Sequence, residues 1–269
     1  MNYHSDQWIM GHVNDHYNEA REYFSEHKMI YLALAGSQNY GVDTEKSDVD
    51  TKLILTPSFQ RIAMNQSPIS TTHVRANNSH TDWKDIRLMF KTFRQQNLNF
   101  LECLFTPYYV LNPMYEKEWS TLLEHREEIA RYNLPKAISS MRGIAHRKYD
   151  MMEKDLPSHK DDLIKYGYSP KELHHLLRVN EYIGRYIDGE SYANCLISNQ
   201  PDYLKAVKLG YHNLEQARVI ANWSISCIDK MCDKYLETCS KEVDKDVDSL
   251  LDDVQYNIMK IAIKKEIGD

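Results

Sequence analysis

Two short stretches of the chain hold residue types whose spacing could do chemistry. The first is Gly36-Ser37, at the end of the apolar run Met29-Ile30-Tyr31-Leu32-Ala33-Leu34-Ala35. The second is Asp48-Val49-Asp50, which opens the run Thr51-Lys52-Leu53-Ile54-Leu55. Small residues after a strand let the backbone approach a ligand, and amides exposed there can cradle phosphate. Ser37 adds a hydroxyl donor. Side chains alternate across a strand, so Asp48 and Asp50 are expected on one face, about 7 Å apart along it. Two carboxylates so placed can chelate one divalent cation. Val49 points the other way, toward a core.

These residues need elements to hold them. A helix is expected from about Asp6 to His27, with Trp8, Met10, Val13, Tyr17 and Tyr23 as a partial apolar stripe. Lys28 to Ala35 follows as a strand apolar on both faces. Asp48 to Leu55 is expected as the second strand, ended by Pro57. Residues from about Phe59 to Asn78 read as loop, with a short strand at Ser70 to Arg75. A third strand is expected at His80 to Lys84. Asp85 then stands as the N-cap of a helix from Ile86 to Gln96. Phe100 to Phe105 is a further short element, in which Glu102 reads as a buried structural carboxylate.

After about Asn112 the alternation stops and helical periodicity takes over. Helices are expected over Tyr115 to Tyr132, from Pro135 to about Lys154, and over Pro170 to Ile187 with Ser169 as cap. Two more follow, from Leu214 under an Asn213 cap to Cys239, and from about Val243 to Ile263. The fold class is therefore α+β, with an all-helical C-terminal region. The expected domains are 1–112, carrying the motif, and 113–269.

Composition narrows the function classes. The chain has 269 residues, 42% hydrophobic and 27% charged, as an ordinary globular protein does. A net charge of −6 argues against a protein that coats nucleic acid electrostatically. The five cysteines have neither C-x-x-C nor metal-ligand spacing, which fits a reducing cytoplasm. The first residues lack a basic and then apolar pattern, so no secretory signal is expected. No apolar run is long enough to span a bilayer, and no membrane partner is expected.

The pattern Gly36-Ser37-Gln38-Asn39-Tyr40-Gly41, followed by Ser47-Asp48-Val49-Asp50, resembles the DNA polymerase beta-like nucleotidyltransferase superfamily. Within it, the pattern is most similar to the predicted nucleotidyltransferases found beside RNA-repair ligases and in phage genomes. Asp85-Ile86-Arg87, Asn97 and Glu102-x-Leu104 extend the likeness, which covers residues 30 to 105 well and the helical region loosely. The resemblance implies a mixed sheet with flanking helices. It also implies transfer of a nucleoside monophosphate from an NTP, such as ATP, to an acceptor hydroxyl or phosphate, with two Mg²⁺ (or Mn²⁺) ions. Such chemistry needs charge neutralisation and in-line alignment more than covalent help.

In that frame Gly36 and Ser37, with Tyr40 in the same loop, are expected on the nucleotide phosphates. Asp48 and Asp50 are expected on the metals. The superfamily has a third carboxylate on a later strand. Asp82 is preferred as metal ligand and catalytic group because Asp85 already has a job as helix cap, and Asp85 stands as the alternative. On the Pro170 to Ile187 helix, Lys171, His174, His175, Arg178, Tyr182 and Arg185 are expected to form a face apart from Leu173, Leu176, Leu177 and Ile183. Of these, Lys171, His174 and Arg178 are candidates for the triphosphate or an acceptor nucleic acid. A solvated helix face is the competing reading.

The acceptor stays open among RNA, tRNA, a protein and a small molecule, with RNA favoured by the RNA-repair likeness. The location implied is the cytoplasm, of the host if the chain is phage-encoded. A second reading, from another class, is a non-catalytic nucleotide-binding or antitoxin-like module on the same fold. The intact Asp-x-Asp argues against it.

Overall fold

A computed structural model describes residues 2–268. In chain order the elements are α1 (Asp6–Ala20), β1 (Met29–Ala35), β2 (Asp50–Leu55), α2 (Phe59–Ala63), β3 (Ser70–Val74) and β4 (His80–Asp85). Then come α3 (Ile86–Arg94), α4 (Leu98–Leu101), β5 (Tyr109–Leu111), α5 (Glu116–Glu124), α6 (Arg126–Arg131) and α7 (Leu134–Met151). The chain continues with α8 (Lys160–Tyr166), α9 (Pro170–Ile187), α10 (Tyr192–Leu196), α11 (Pro201–Lys208), α12 (Leu214–Thr238) and α13 (Lys245–Ile267). The class is α+β, with a mixed sheet, flanking helices and a helical C-terminal region, as expected.

The contacts divide the chain into two compact units. One holds residues 2–39, 45–133 and 242–268 and contains the sheet. The other holds residues 40–44 and 134–241 and is helical. Residues 113–133 and α13, read from composition as part of the helical region, thus cluster with the sheet. In the sheet unit α13 packs on α3 and α5.

The sheet has five strands in the order β3-β4-β2-β1-β5. β2 and β4 run parallel, and the other neighbours are antiparallel. β1 is an interior strand, between β2 and β5, and all seven of its residues are buried, as its continuous apolar run requires. On one face Leu32, Leu34, Leu53 and Leu55 pack with Ile9, Val13 and Tyr17 of α1. Tyr31 belongs to the other face. Its ring stacks on Trp119 of α5 at 4.7 Å, and its hydroxyl donates to the Cys103 carbonyl at 2.8 Å.

Several elements differ from expectation. α1 stops at Ala20, because the chain must reverse through a tight turn at Glu26–Lys28 to enter β1. β2 begins at Asp50, not Asp48. The β1 ladder ends where Ala35 faces Asp50, and Gly36 (φ 96°) turns the chain away, so Asp48 has no strand to pair with. The segment after Pro57 holds α2, capped by Ser58. The single helix expected over Tyr115 to Tyr132 is broken at His125, whose backbone is non-helical. β5, α8, α10 and α11 are short elements that periodicity does not reveal.

In the helical unit α9 is the centre, packed by α7, α10, α11 and α12. It therefore buries His174, Arg178 and Tyr182 along with Leu173, Leu176, Val179 and Ile183. Of the expected polar face, Lys171 remains exposed, while His174, Arg178 and Tyr182 are buried. Pro170 opens the helix, but the Ser169 side chain does not cap it; its hydroxyl donates to Asp162 instead. α12 starts with a full capping box, Asn213 with Gln216. On α7, Arg142 and His146 both bond Asp229 of α12 at 2.8 Å.

Two buried imidazoles make stability depend on pH. Burial lowers His16 to about 4 and His174 to about 3, from an ordinary 6.5. Both are neutral in the folded protein and charge on unfolding, so stability is full above the unfolded pKa and falls as pH drops below it. Urea denaturation at about pH 7.5 and pH 5 should show a loss on the order of 2 kcal/mol for each such group. His174→Gln should flatten that slope. Equal stability at the two pH values would contradict the buried neutral assignments.

Candidate metal and phosphate site

The site is built where β1 ends beside the start of β2. Ala35 is the register partner of Asp50, so Gly36 and Ser37 follow directly from the residue facing Asp50. Gly36 adopts φ 96°, a region costly for any residue with a Cβ. Beyond it the turn folds onto itself. The Asn39 backbone N–H donates to the Gly36 carbonyl at 3.0 Å, and its side-chain amide donates to the Leu34 carbonyl at 2.9 Å. The buried Gln38 amide donates to the Asp48 carbonyl at 2.8 Å. That bond fixes Asp48 next to the turn although Asp48 lies ahead of the strand.

Asp48, Asp50 and His80 each offer a ligand atom, and these atoms lie within 4.8 Å of one another. His80 reaches the cluster through the parallel β2–β4 register, in which Thr51 faces Thr81 and Lys52 faces Asp82. The His80 backbone N–H donates to Asp50 Oδ1 at 2.9 Å, and its Nδ1 lies 3.3 Å from the same oxygen. Partial burial and the neighbouring Asp48 carboxylate raise the Asp50 pKa. A cation would relieve both effects, so the donor set fits a divalent ion.

Behind the cluster lies a second layer that sequence reading missed. Buried His16 of α1 has Nδ1 at 2.8 Å from the Thr51 hydroxyl and 3.1 Å from that of Thr81. Its Nε2 lies 3.2 Å from the Ser79 hydroxyl. Thr51 follows Asp50, while Ser79 and Thr81 flank His80. One imidazole on the opposite face thus ties the two strands together at the level of the cluster.

The two candidates for a third carboxylate are held elsewhere. Asp82 shares the Asp50 face of the sheet but sits farther along it. It accepts from the Thr72 hydroxyl at 2.6 Å and lies 3.7 Å from Lys52 Nζ. Asp85 is buried, caps α3 through the Arg87 N–H, and takes both Nε and Nη2 of Arg87. His80 is the third member that the structure brings in. Its signal in the sequence was only that it alternates with Asp82 on one strand, and the register needed to use that signal is not written locally.

The remaining candidates belong to the helical unit. Tyr40 is buried, and the Arg178 guanidinium stacks over its ring, 3.7 Å from the centroid. The Ser198 N–H donates to the Tyr40 carbonyl at 3.4 Å. His174 is 1% exposed and bonds the Leu204 carbonyl at 2.8 Å, so it serves the packing of α9 on α11. Lys171 is exposed.

Comparisons with known proteins identify the family. The family described as "RNA repair pathway DNA polymerase beta family" (RlaP) matches residues 10–180, more than half of the chain. No curated protein matches. Among solved structures, the chain is similar to a nucleotidyltransferase-like protein from Exiguobacterium sibiricum 255-15. The identity is 12%, the alignment covers 85% of this chain and 78% of that one, and the TM-score is 0.32. The assignment rests on the family match, which spans β1, β2, β4 and the residues gathered around Asp50: the chain belongs to the RNA repair pathway DNA polymerase beta family, a group of polymerase beta-like nucleotidyltransferases.

Proposed function

We propose that the protein transfers a nucleoside monophosphate from an NTP to an acceptor hydroxyl or phosphate, in a metal-dependent reaction in the cytoplasm. The observation that carries this reading is the convergence of Asp48, Asp50 and His80 beside the Gly36-Ser37 turn. Bound divalent metal would neutralise phosphate charge and polarise the acceptor oxygen. Asp48 and Asp50 would hold it. The glycine at φ 96° leaves the backbone open to the triphosphate, and nothing lies within 4 Å of where its Cβ would be. Ser37 would donate to a phosphate oxygen.

In the reaction the acceptor oxygen attacks the α-phosphorus, the bond to the bridging β-phosphate oxygen breaks, pyrophosphate leaves, and an acceptor hydroxyl passes its proton to solvent. Asp82 of β4 is proposed to act on this face by holding the Lys52 ammonium of the neighbouring strand β2 in place. In the helical unit exposed Lys171 is the group offered to a phosphate-bearing substrate, while buried Arg178 holds Tyr40. His174 is left out because its polar contact is spent on Leu204. RNA or tRNA is the preferred acceptor, on the strength of the family's description.

Each labelled NTP, incubated with Mg²⁺ or Mn²⁺ and with separate pools of RNA, protein and small molecules, should label the RNA pool. Asp50→Asn should keep the far-ultraviolet circular dichroism of the wild type and reduce transfer to the no-enzyme level. Full turnover in that variant would sink the site assignment. Nucleotide binding without metal and without transfer would favour a regulatory module instead. Gly36→Ala should cost about 1–3 kcal/mol of backbone strain and weaken NTP binding in calorimetry. Unchanged binding would remove the turn from the phosphate site.

A further inference from the structure

The third donor beside Asp48 and Asp50 is an imidazole, and the nearby carboxylates are committed to other partners. We propose that His80 is a metal ligand and that it tunes this centre to a first-row transition-metal ion of the Mn²⁺ type in preference to Mg²⁺. The inference rests on the metal-dependent reading above and adds the identity of the ion.

Three observations carry it. First, the ligand atoms of Asp48, Asp50 and His80 lie within 4.8 Å of one another, so one ion can reach all three. Second, His80 is fixed. Its backbone N–H is bonded to Asp50, and the hydroxyls of Ser79 and Thr81 on either side are tied to His16. Third, among the described residues the two later-strand carboxylates are not poised to displace it. Asp82 is engaged by Thr72 and stands beside the Lys52 ammonium, which would repel an ion there. Asp85 is buried under Arg87.

Donor chemistry then selects the ion. Mg²⁺ is hard, takes oxygen ligands almost exclusively and gives up water reluctantly. An imidazole nitrogen gains more from the borderline ions, whose affinity for nitrogen rises along the first row from Mn²⁺. Two carboxylates and a neutral imidazole carry two negative charges, which a divalent ion cancels. Carboxylates keep Mn²⁺ among the accepted ions, and the nitrogen sets it above Mg²⁺.

The test is pulsed electron paramagnetic resonance of Mn²⁺ added to the full chain with a non-hydrolysable NTP analogue. A ¹⁴N coupling from a directly bound ring nitrogen is expected in the wild type and should vanish in His80→Asp. By continuous-wave titration, wild-type Mn²⁺ should resist displacement until Mg²⁺ is in large excess, and His80→Asp should lower the excess required by about tenfold or more. His80 is partly exposed, so the variant should fold, and circular dichroism checks it. Bound Mn²⁺ without ¹⁴N coupling would overturn the proposal and leave the metal-dependent reading standing. Mn²⁺ lost in Asp82→Asn but kept in His80→Asp would overturn it in favour of a carboxylate ligand. If Mn²⁺ does not bind at all, the metal-dependent reading fails and this proposal falls with it.

Discussion

The parallel pairing of β2 with β4 is the constraint on which the candidate site depends. Five successive residues pair, from Thr51 with Thr81 to Leu55 with Asp85. Strand side chains alternate, so this register puts Asp50, Lys52, His80 and Asp82 on one face and Thr51 and Thr81 on the other. A slip by one residue would send His80 to the α1 side and replace it with a threonine. The register is held from behind by His16, whose two ring nitrogens reach the hydroxyls of Thr51 on β2, Thr81 on β4 and Ser79 just ahead of β4. A buried polar group left unpaired costs more than a typical hydrogen bond gains. The His16 network therefore penalises any other alignment.

β1 supplies the second fixed point. It is buried along its whole length and pairs on both sides, with β2 and with β5. Burial on both faces leaves it no freedom to shift, so the Gly36 turn leaves the sheet at a defined place, beside Asp50. The same burial brings Trp119 of α5 onto Tyr31. α5 and α13 are thereby part of the packing that steadies the motif strand, although both lie far from it in the chain.

The helical unit follows a different logic. α9 is packed by four other helices, so several polar residues on it have their partners inside the protein. His174 bonds a carbonyl of α11, Arg178 stacks on Tyr40, and Arg185 pairs with Glu181 and Glu190. Helical spacing alone gave these residues a common polar stripe. Packing divided most of the stripe among separate internal roles, because four neighbouring helices cover most of α9 and leave Lys171 exposed at its start.

The sequence by itself determined the parts whose signal is local. The apolar run of β1, the Gly-Ser turn, the Asp85 cap and the start of α9 all depend on residues a few positions apart and stand where expected, whereas of the Asp-x-Asp pair only Asp50 lies on the strand. The family could be recognised from the same short motifs. Tertiary structure alone decided what depends on contacts distant in the chain. These are the choice of His80 over Asp82 and Asp85 as third neighbour of the aspartates, the clamp of His16 across two strands, and the clustering of α13 with the sheet. Each turns on strand register or on which faces become buried. Those are properties of the assembled core, and no window of neighbouring residues contains them.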